Sequence, residues 1–201
     1  NSSQDLTFDA IDTVPVKGLE LTKVTGGDTT LDFEATAVVG TADVLNVKLD
    51  NVKSTANAAV SSIIANGIET VNVTTTGTES KLVDIKAKQT KVVIAGDKNL
   101  TIDNDGTILT DTTTIDASAF KGNLTLGTVN SATKDVEVIG GSGNDKVSFN
   151  NGFQKGDKFD GGTGTDTIIM TDDSAANKAA GATLANVEEL EISDNGQRTI
   201  D

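Results

Sequence analysis

Histidine, cysteine, tryptophan and tyrosine are all absent from this chain, and each absence closes a class of chemistry. Without histidine there is no H-E-x-x-H zinc site and no Ser-His-Asp triad. Without cysteine there is no disulfide framework and no thiolate nucleophile. The missing tryptophan and tyrosine remove the usual platforms for stacking sugars, and nothing marks two of the 30 acidic residues as a glycosidase pair. No P-loop occurs, and no G-x-G-x-x-G precedes a helix. An enzyme is not expected. Basic residues are scarce, 16 against those 30 acids, for a formal charge of −14. Phosphate binding is driven by counterion release to Lys and Arg, so nucleic acid is not an expected partner. No stretch approaches the roughly 20 apolar residues of a membrane span, and none is expected. The opening Asn1-Ser2-Ser3-Gln4-Asp5 has neither a basic start nor an apolar run. The chain reads as an excised fragment of a longer protein.

Glycine is what the sequence does have, 20 residues of it, and its densest part is a repeated nonapeptide. Gly140-Gly141-Ser142-Gly143-Asn144-Asp145-Lys146-Val147-Ser148 and Gly161-Gly162-Thr163-Gly164-Thr165-Asp166-Thr167-Ile168-Ile169 both fit G-G-x-G-x-D-x-U-x, with U a large aliphatic. Glycines let the backbone turn left-handed, so that peptide carbonyls can point at a cation. The aspartate brings charge, and the aliphatic opens a short strand. Calcium takes six to eight oxygens, of which one such turn supplies about half. Two stacked turns complete a shell.

Asp145 and Asp166 lie 21 residues apart, against an expected coil of about 18 in a regular roll, which reads as one coil with a three-residue insertion. A Ca2+ ion is therefore expected between the turns, with Asp145 and Asp166 as carboxylate ligands. Gly140, Ser142, Asn144, Gly161, Gly162, Thr163 and Thr165 form its backbone cradle. The intervening 152–160 segment looks like a worn copy of the opposite turn, and its Asp157 and Asp160 are candidates for an additional site. The plainer alternative is a tight turn in which Asp is an ordinary turn residue.

These nonapeptides resemble the RTX repeats of bacterial cell-surface proteins, among them surface-layer proteins exported by type I secretion. Ile115-Asp116-Ala117-Ser118-Ala119-Phe120-Lys121-Gly122-Asn123-Leu124-Thr125-Leu126 and Gly67-Ile68-Glu69-Thr70-Val71-Asn72-Val73-Thr74 are similar to phrases in the β-strand repeats of such proteins. Only two intact nonapeptides occur, so few ions and a mixed architecture should follow. The resemblance implies an extracellular, calcium-dependent part of a surface lattice that self-associates, with cell-surface polysaccharide as a further partner. The alternative it leaves open is a spacer or adhesive module of a large RTX adhesin.

Leu6-Thr7-Phe8 and Leu19-Glu20-Leu21 alternate as short strands on either side of the lone Pro15. Gly26-Gly27-Asp28 is a truncated turn. Val39-Gly40-Thr41-Ala42-Asp43-Val44-Leu45-Asn46-Val47 parallels Gly162 to Met170, about 120 residues earlier. That echo has lost its leading glycines, and no calcium is expected at Asp43. The Ala-rich stretches 57–66 and 179–186 follow each copy and read as short helices, capped by Ser54 and Asp173. An [IV]-E-x-[VL]-x-[VI] strand follows each.

Two interleaved rows of apolar doublets run through the middle. One holds Val71/Val73, Val92/Ile94, Ile115 and Val136/Val138. The other holds Leu82/Ile85, Leu100/Ile102, Leu124/Leu126, Val147/Phe149, Ile168/Met170 and Leu190/Ile192. A β-sandwich would give a similar pattern. The coil-sized period favours an all-β chain, a parallel β-solenoid running into a calcium-binding β-roll, with one or two short helices. The expected parts are an N-terminal β-repeat with a helix (1–66), solenoid coils (67–139), the roll (140–170) and a helix with a terminal strand (171–201), in one continuous elongated domain. Threonine runs such as Thr74-Thr75-Thr76 read as exposed strand residues, and Asn99-Leu100-Thr101 is an N-x-T acceptor in an expected turn, whose threonine reads the same way.

Overall fold

A computed structural model describes residues 4–15, 17–53, 61–87, 89–103, 112–129, 134–149, 153–172 and 181–194. Among the described residues eighteen strands follow one another. The first six are β1 (Leu6–Ile11), β2 (Leu19–Thr22), β3 (Thr29–Phe33), β4 (Val44–Asp50), β5 (Ser62–Ala65) and β6 (Thr70–Thr75). Next come β7 (Ser80–Leu82), β8 (Asp84–Ala87), β9 (Lys91–Gly96), β10 (Leu100–Ile102), β11 (Thr114–Phe120) and β12 (Leu124–Leu126). The last are β13 (Glu137–Ile139), β14 (Lys146–Phe149), β15 (Lys158–Asp160), β16 (Thr167–Asp172), β17 (Thr183–Ala185) and β18 (Glu189–Asp194).

Every pairing between them is parallel, and each joins a strand to its counterpart one coil away. An eight-stranded face runs β2-β4-β6-β9-β11-β13-β15-β17. The opposite wall begins as the four-stranded β1-β3-β5-β8 and continues as the six-stranded β7-β10-β12-β14-β16-β18. The coil carrying β6, β7 and β8 contributes to all three faces, and there one wall hands over to the other. At roughly 4.8 Å per paired strand, the eight-stranded face is about 34 Å long. This is a parallel β-solenoid.

Alternation explains the strands. On the eight-stranded face Leu45, Val71 and Val92 stack in one inward column, and Val47, Val73 and Ile94 in the next. On the six-stranded face Ile102, Leu126, Val147 and Ile168 do the same. All of these side chains are buried. Each contributes on the order of 1.5–3 kcal/mol, and β-branched shapes pack well on a pleated surface. Polar neighbours alternate outward, where Lys48 pairs with Glu20 at 2.9 Å and Lys146 with Glu191 at 3.1 Å. Such exposed pairs add little stability and serve mainly to solvate the rod.

Two expectations change. No helix occurs among the described residues. Where the Ala-rich stretches are described they hold strands, β5 and β17, while Ser54, Asp173, residues 57–60 and residues 179–180 lie outside the described residues. Ile63 of β5 lies between Thr29 and Ile85 in adjacent strands, and that pairing outweighs the helix propensity of nearby alanines. The glycine-rich coil also carries no insertion. Its offset of 21 (Lys146↔Thr167) falls within the range of the same face, from 20 (Leu100↔Ser80) to 24 (Leu100↔Leu124). The segment has the ordinary circumference of this solenoid.

Candidate metal centre

The two glycine turns sit one above the other at the edge where the eight-stranded face passes into the six-stranded one. Ile139 pairs with Asp160 before the turns and Lys146 with Thr167 after them, so Gly140 to Asp145 superpose residue by residue on Gly161 to Asp166. The fit is tight. A Cβ on Gly143 would lie 2.3 Å from the Gly122 carbonyl oxygen of the coil below. Gly162 has φ +89°, a conformation that favours glycine, and a Cβ there would meet the Gly141 oxygen at 2.2 Å.

Main-chain groups of the cradle are largely spent on holding coils together. Ser142 N donates to Phe120 O (3.0 Å), Thr163 N to Gly141 O (2.9 Å), Gly140 N to Asp160 O (2.7 Å) and Gly161 N to Ala185 O (3.0 Å). Asparagine side chains extend the ladder. Asn123 N donates to Asn99 Oδ1 (2.9 Å), Asn144 N to Asn123 Oδ1 (2.9 Å) and Thr165 N to Asn144 Oδ1 (3.0 Å).

The aspartates point inward. Asp145 is 1% exposed; its Oδ1 accepts from Leu124 N and its Oδ2 from Gly141 N, both at 2.8 Å. Asp166, also 1% exposed, accepts from Asp145 N at 2.7 Å through Oδ1. Its own N–H donates to Glu188 Oε2 at 2.8 Å. Asp157 lies across the coil, at the turn leading back to the eight-stranded face, where it accepts from Val136 N (2.8 Å) and Gln154 N (2.7 Å). Each of these carboxylates thus bonds an N–H of the preceding coil, and Asp145 and Asp157 each close their own turn as well.

Asp166 is the exception. The N–H that would meet its second oxygen, that of Gly162, turns instead to Asp160 Oδ1 at 3.1 Å, and Asn186 Nδ2 binds the same oxygen at 2.7 Å. Asp166 Oδ2 is left buried with no partner. Burial pushes the Asp145 carboxyl above its ordinary value, against the two amides that hold it and with the charge of Asp166 adding to the rise. Burial likewise raises Asp166, opposed by the Asp145 amide and helped by Glu188 and Asp160.

The structure therefore brings Asp145, Asp160 and Asp166 to one edge and sets Asp157 apart from them. Among the described residues no three acidic side chains converge as a metal cluster. The donor set fits calcium in part: Asp166 offers an oxygen with no partner, whereas each oxygen of Asp145 is already shared with an amide. Nothing in the sequence marks Glu188 as a site residue beyond the recurring [IV]-E phrase that carries it. No family model, curated protein or solved structure matches this chain.

Proposed function

We propose that this chain is a non-catalytic, load-bearing segment of an extracellular bacterial surface protein, a piece of a surface-layer subunit. The observation that carries the reading is the parallel ladder of the eight-stranded face, from β2 to β17. Backbone pairing, stacked aliphatics and side-chain-to-backbone bonds all run along one axis, which suits a part whose work is mechanical. The glycine nonapeptides favour Ca2+ as its ligand. Asp166 and Asp160, with main-chain oxygens of the 140–145 and 161–166 turns, would hold the ion. When bound it would neutralise the acidic edge and tie adjacent coils.

A spacer in a large adhesin would use the same rod, and the exposed Lys–Glu pairs that keep its flanks solvated favour that second reading. Thermal unfolding and light scattering, each in chelator and in millimolar calcium, test both. A melting temperature raised by calcium together with growth of large particles supports the lattice piece. A raised melting temperature in a protein that stays monomeric supports the spacer. An unchanged melting temperature removes calcium from the account.

A further inference from the structure

The bond pattern around Asp166 occurs a second time, far from any glycine nonapeptide. Asp166 N donates to Glu188 Oε2 (2.8 Å), and its carbonyl accepts from Glu188 N (3.1 Å) and Glu189 N (2.9 Å). Asp43 N donates to Glu69 Oε2 (3.0 Å), and its carbonyl accepts from Glu69 N (3.2 Å) and Thr70 N (3.0 Å). The registers Thr167↔Glu189 and Val44↔Thr70 stack each aspartate directly beneath its glutamate. In both pairs Asp Oδ2 is buried and without a hydrogen-bond partner, and Asp166 as a whole is only 1% exposed.

We infer that Asp43/Glu69 and Asp166/Glu188 are two divalent-cation sites, each taking one calcium ion between the orphan Asp Oδ2 and a carboxylate oxygen of the glutamate one coil on. The chemistry is direct. Each aspartate and its glutamate sit on neighbouring coils, one strand spacing of about 4.8 Å apart along the backbone, so their like charges repel, and a buried anionic oxygen without a donor is costly. A hard cation removes both penalties at once, with waters and carbonyls completing the shell. Glutamate suits the role because one oxygen can keep the backbone N–H while the other turns to the ion. Asp145 and Asp157 differ, since an amide already meets each of their oxygens and leaves none orphaned. The glycine cradle is then a tight stacking device, and the ligands belong to the Asp-then-Glu step, which recurs at Asp43 without a glycine nonapeptide.

This rests on the calcium reading above, and calorimetric titration of the whole chain, stripped of metal and then given calcium alone, separates the two. Glu69→Gln and Glu188→Gln keep an oxygen for the aspartate N–H, and circular dichroism confirms that they fold. The expected result is two sites in the parent, one in each single variant, and loss of both or about ten-fold weaker binding in the double variant. Binding that survives unchanged in the double variant overturns this inference and leaves calcium at the glycine turns standing. No heat and no thermal shift in the parent, at calcium several-fold above the roughly 10⁻⁴–10⁻³ M typical of extracellular modules, overturns both.

Discussion

Leu124 N donates to Asp145 Oδ1 at 2.8 Å across 21 residues of sequence, so the aspartate of the first nonapeptide clamps the coil below it. Its other oxygen holds Gly141 of its own turn at 2.8 Å. One buried side chain thereby fixes both the shape of a turn and its distance from the neighbour. This role needs no ion.

Asp145→Ala should therefore destabilise the protein even in chelator. The substitution strands the N–H groups of Leu124 and Gly141, and an unsatisfied buried donor costs about 1–3 kcal/mol. Asp145→Asn keeps one acceptor and turns an NH2 toward the other N–H, so an intermediate loss is expected. Urea unfolding in excess chelator measures both. A destabilisation seen only when calcium is present would mean that Asp145 is a ligand first and a clamp second.

The apolar rows were readable because inward positions recur once per coil, and Val71/Val73 through Ile168/Met170 fall in the two long faces. Ile85 falls in the same sequence row as Leu82, yet it lies in β8 on the four-stranded wall. That wall was hidden by uneven spacing, 23 residues from Leu6 to Thr29 and then 34 from Thr29 to Ile63. Glycines announce a turn through backbone need, so the Gly140 and Gly161 turns were visible. Glu69 and Glu188 announce nothing locally. Their significance lies in a partner 26 or 22 residues back, which only the register reveals.

Acid should stabilise the metal-free protein over part of the range. Asp145 and Asp166 have folded-state values raised above the ordinary 3.8. Their contribution is fully present below 3.8 and is lost as pH rises through the raised values. Glu79, held down by Lys53, and Asp116, held down by Ser118, act with the opposite sign, and their contribution disappears as pH falls through their lowered values. The melting temperature in calcium-free buffer should thus rise as pH falls from neutral through the raised values of Asp145 and Asp166, and fall again as pH drops through the lowered values of Glu79 and Asp116. Asp145→Asn/Asp166→Asn should flatten the rise. An unaltered rise in that variant would assign it to relief of the −14 net charge instead. Saturating calcium, which competes with protons for carboxylates, should reverse the slope.

Gly143→Ala tests the stacking of the turns. The added methyl would sit 2.3 Å from Gly122 O, a main-chain atom fixed by its own coil. The coils must part locally, and the bond from Asn144 N to Asn123 Oδ1 at 2.9 Å should weaken with them. Overpacking of this kind costs about 1–3 kcal/mol. Hydrogen exchange at the Asn144 amide should quicken relative to the parent. Parent-like exchange and stability would show that the turns are looser than their contacts suggest.

Phe149→Ala should reveal how far damage spreads along the rod. Phe149 is buried between the faces, edge-on to Phe153 with centroids 4.9 Å apart and 6.4 Å from Phe159. It sits on β14, Phe159 on β15 across the interior, and Phe153 on the connection between them, so the cluster fills the coil that joins the two glycine turns. Truncation leaves a cavity and should cost about 3–5 kcal/mol. In a stack of coils each layer touches chiefly its neighbours, so the loss should concentrate there. Amide protection is expected to fall in β13 to β16, while Leu45, Val71 and their neighbours on β4 and β6 keep theirs. A uniform loss from β4 to β16 would mean that the solenoid unfolds as one cooperative block. In that case a cation bound at either end would stabilise every coil equally, and its effect could not be localised by exchange.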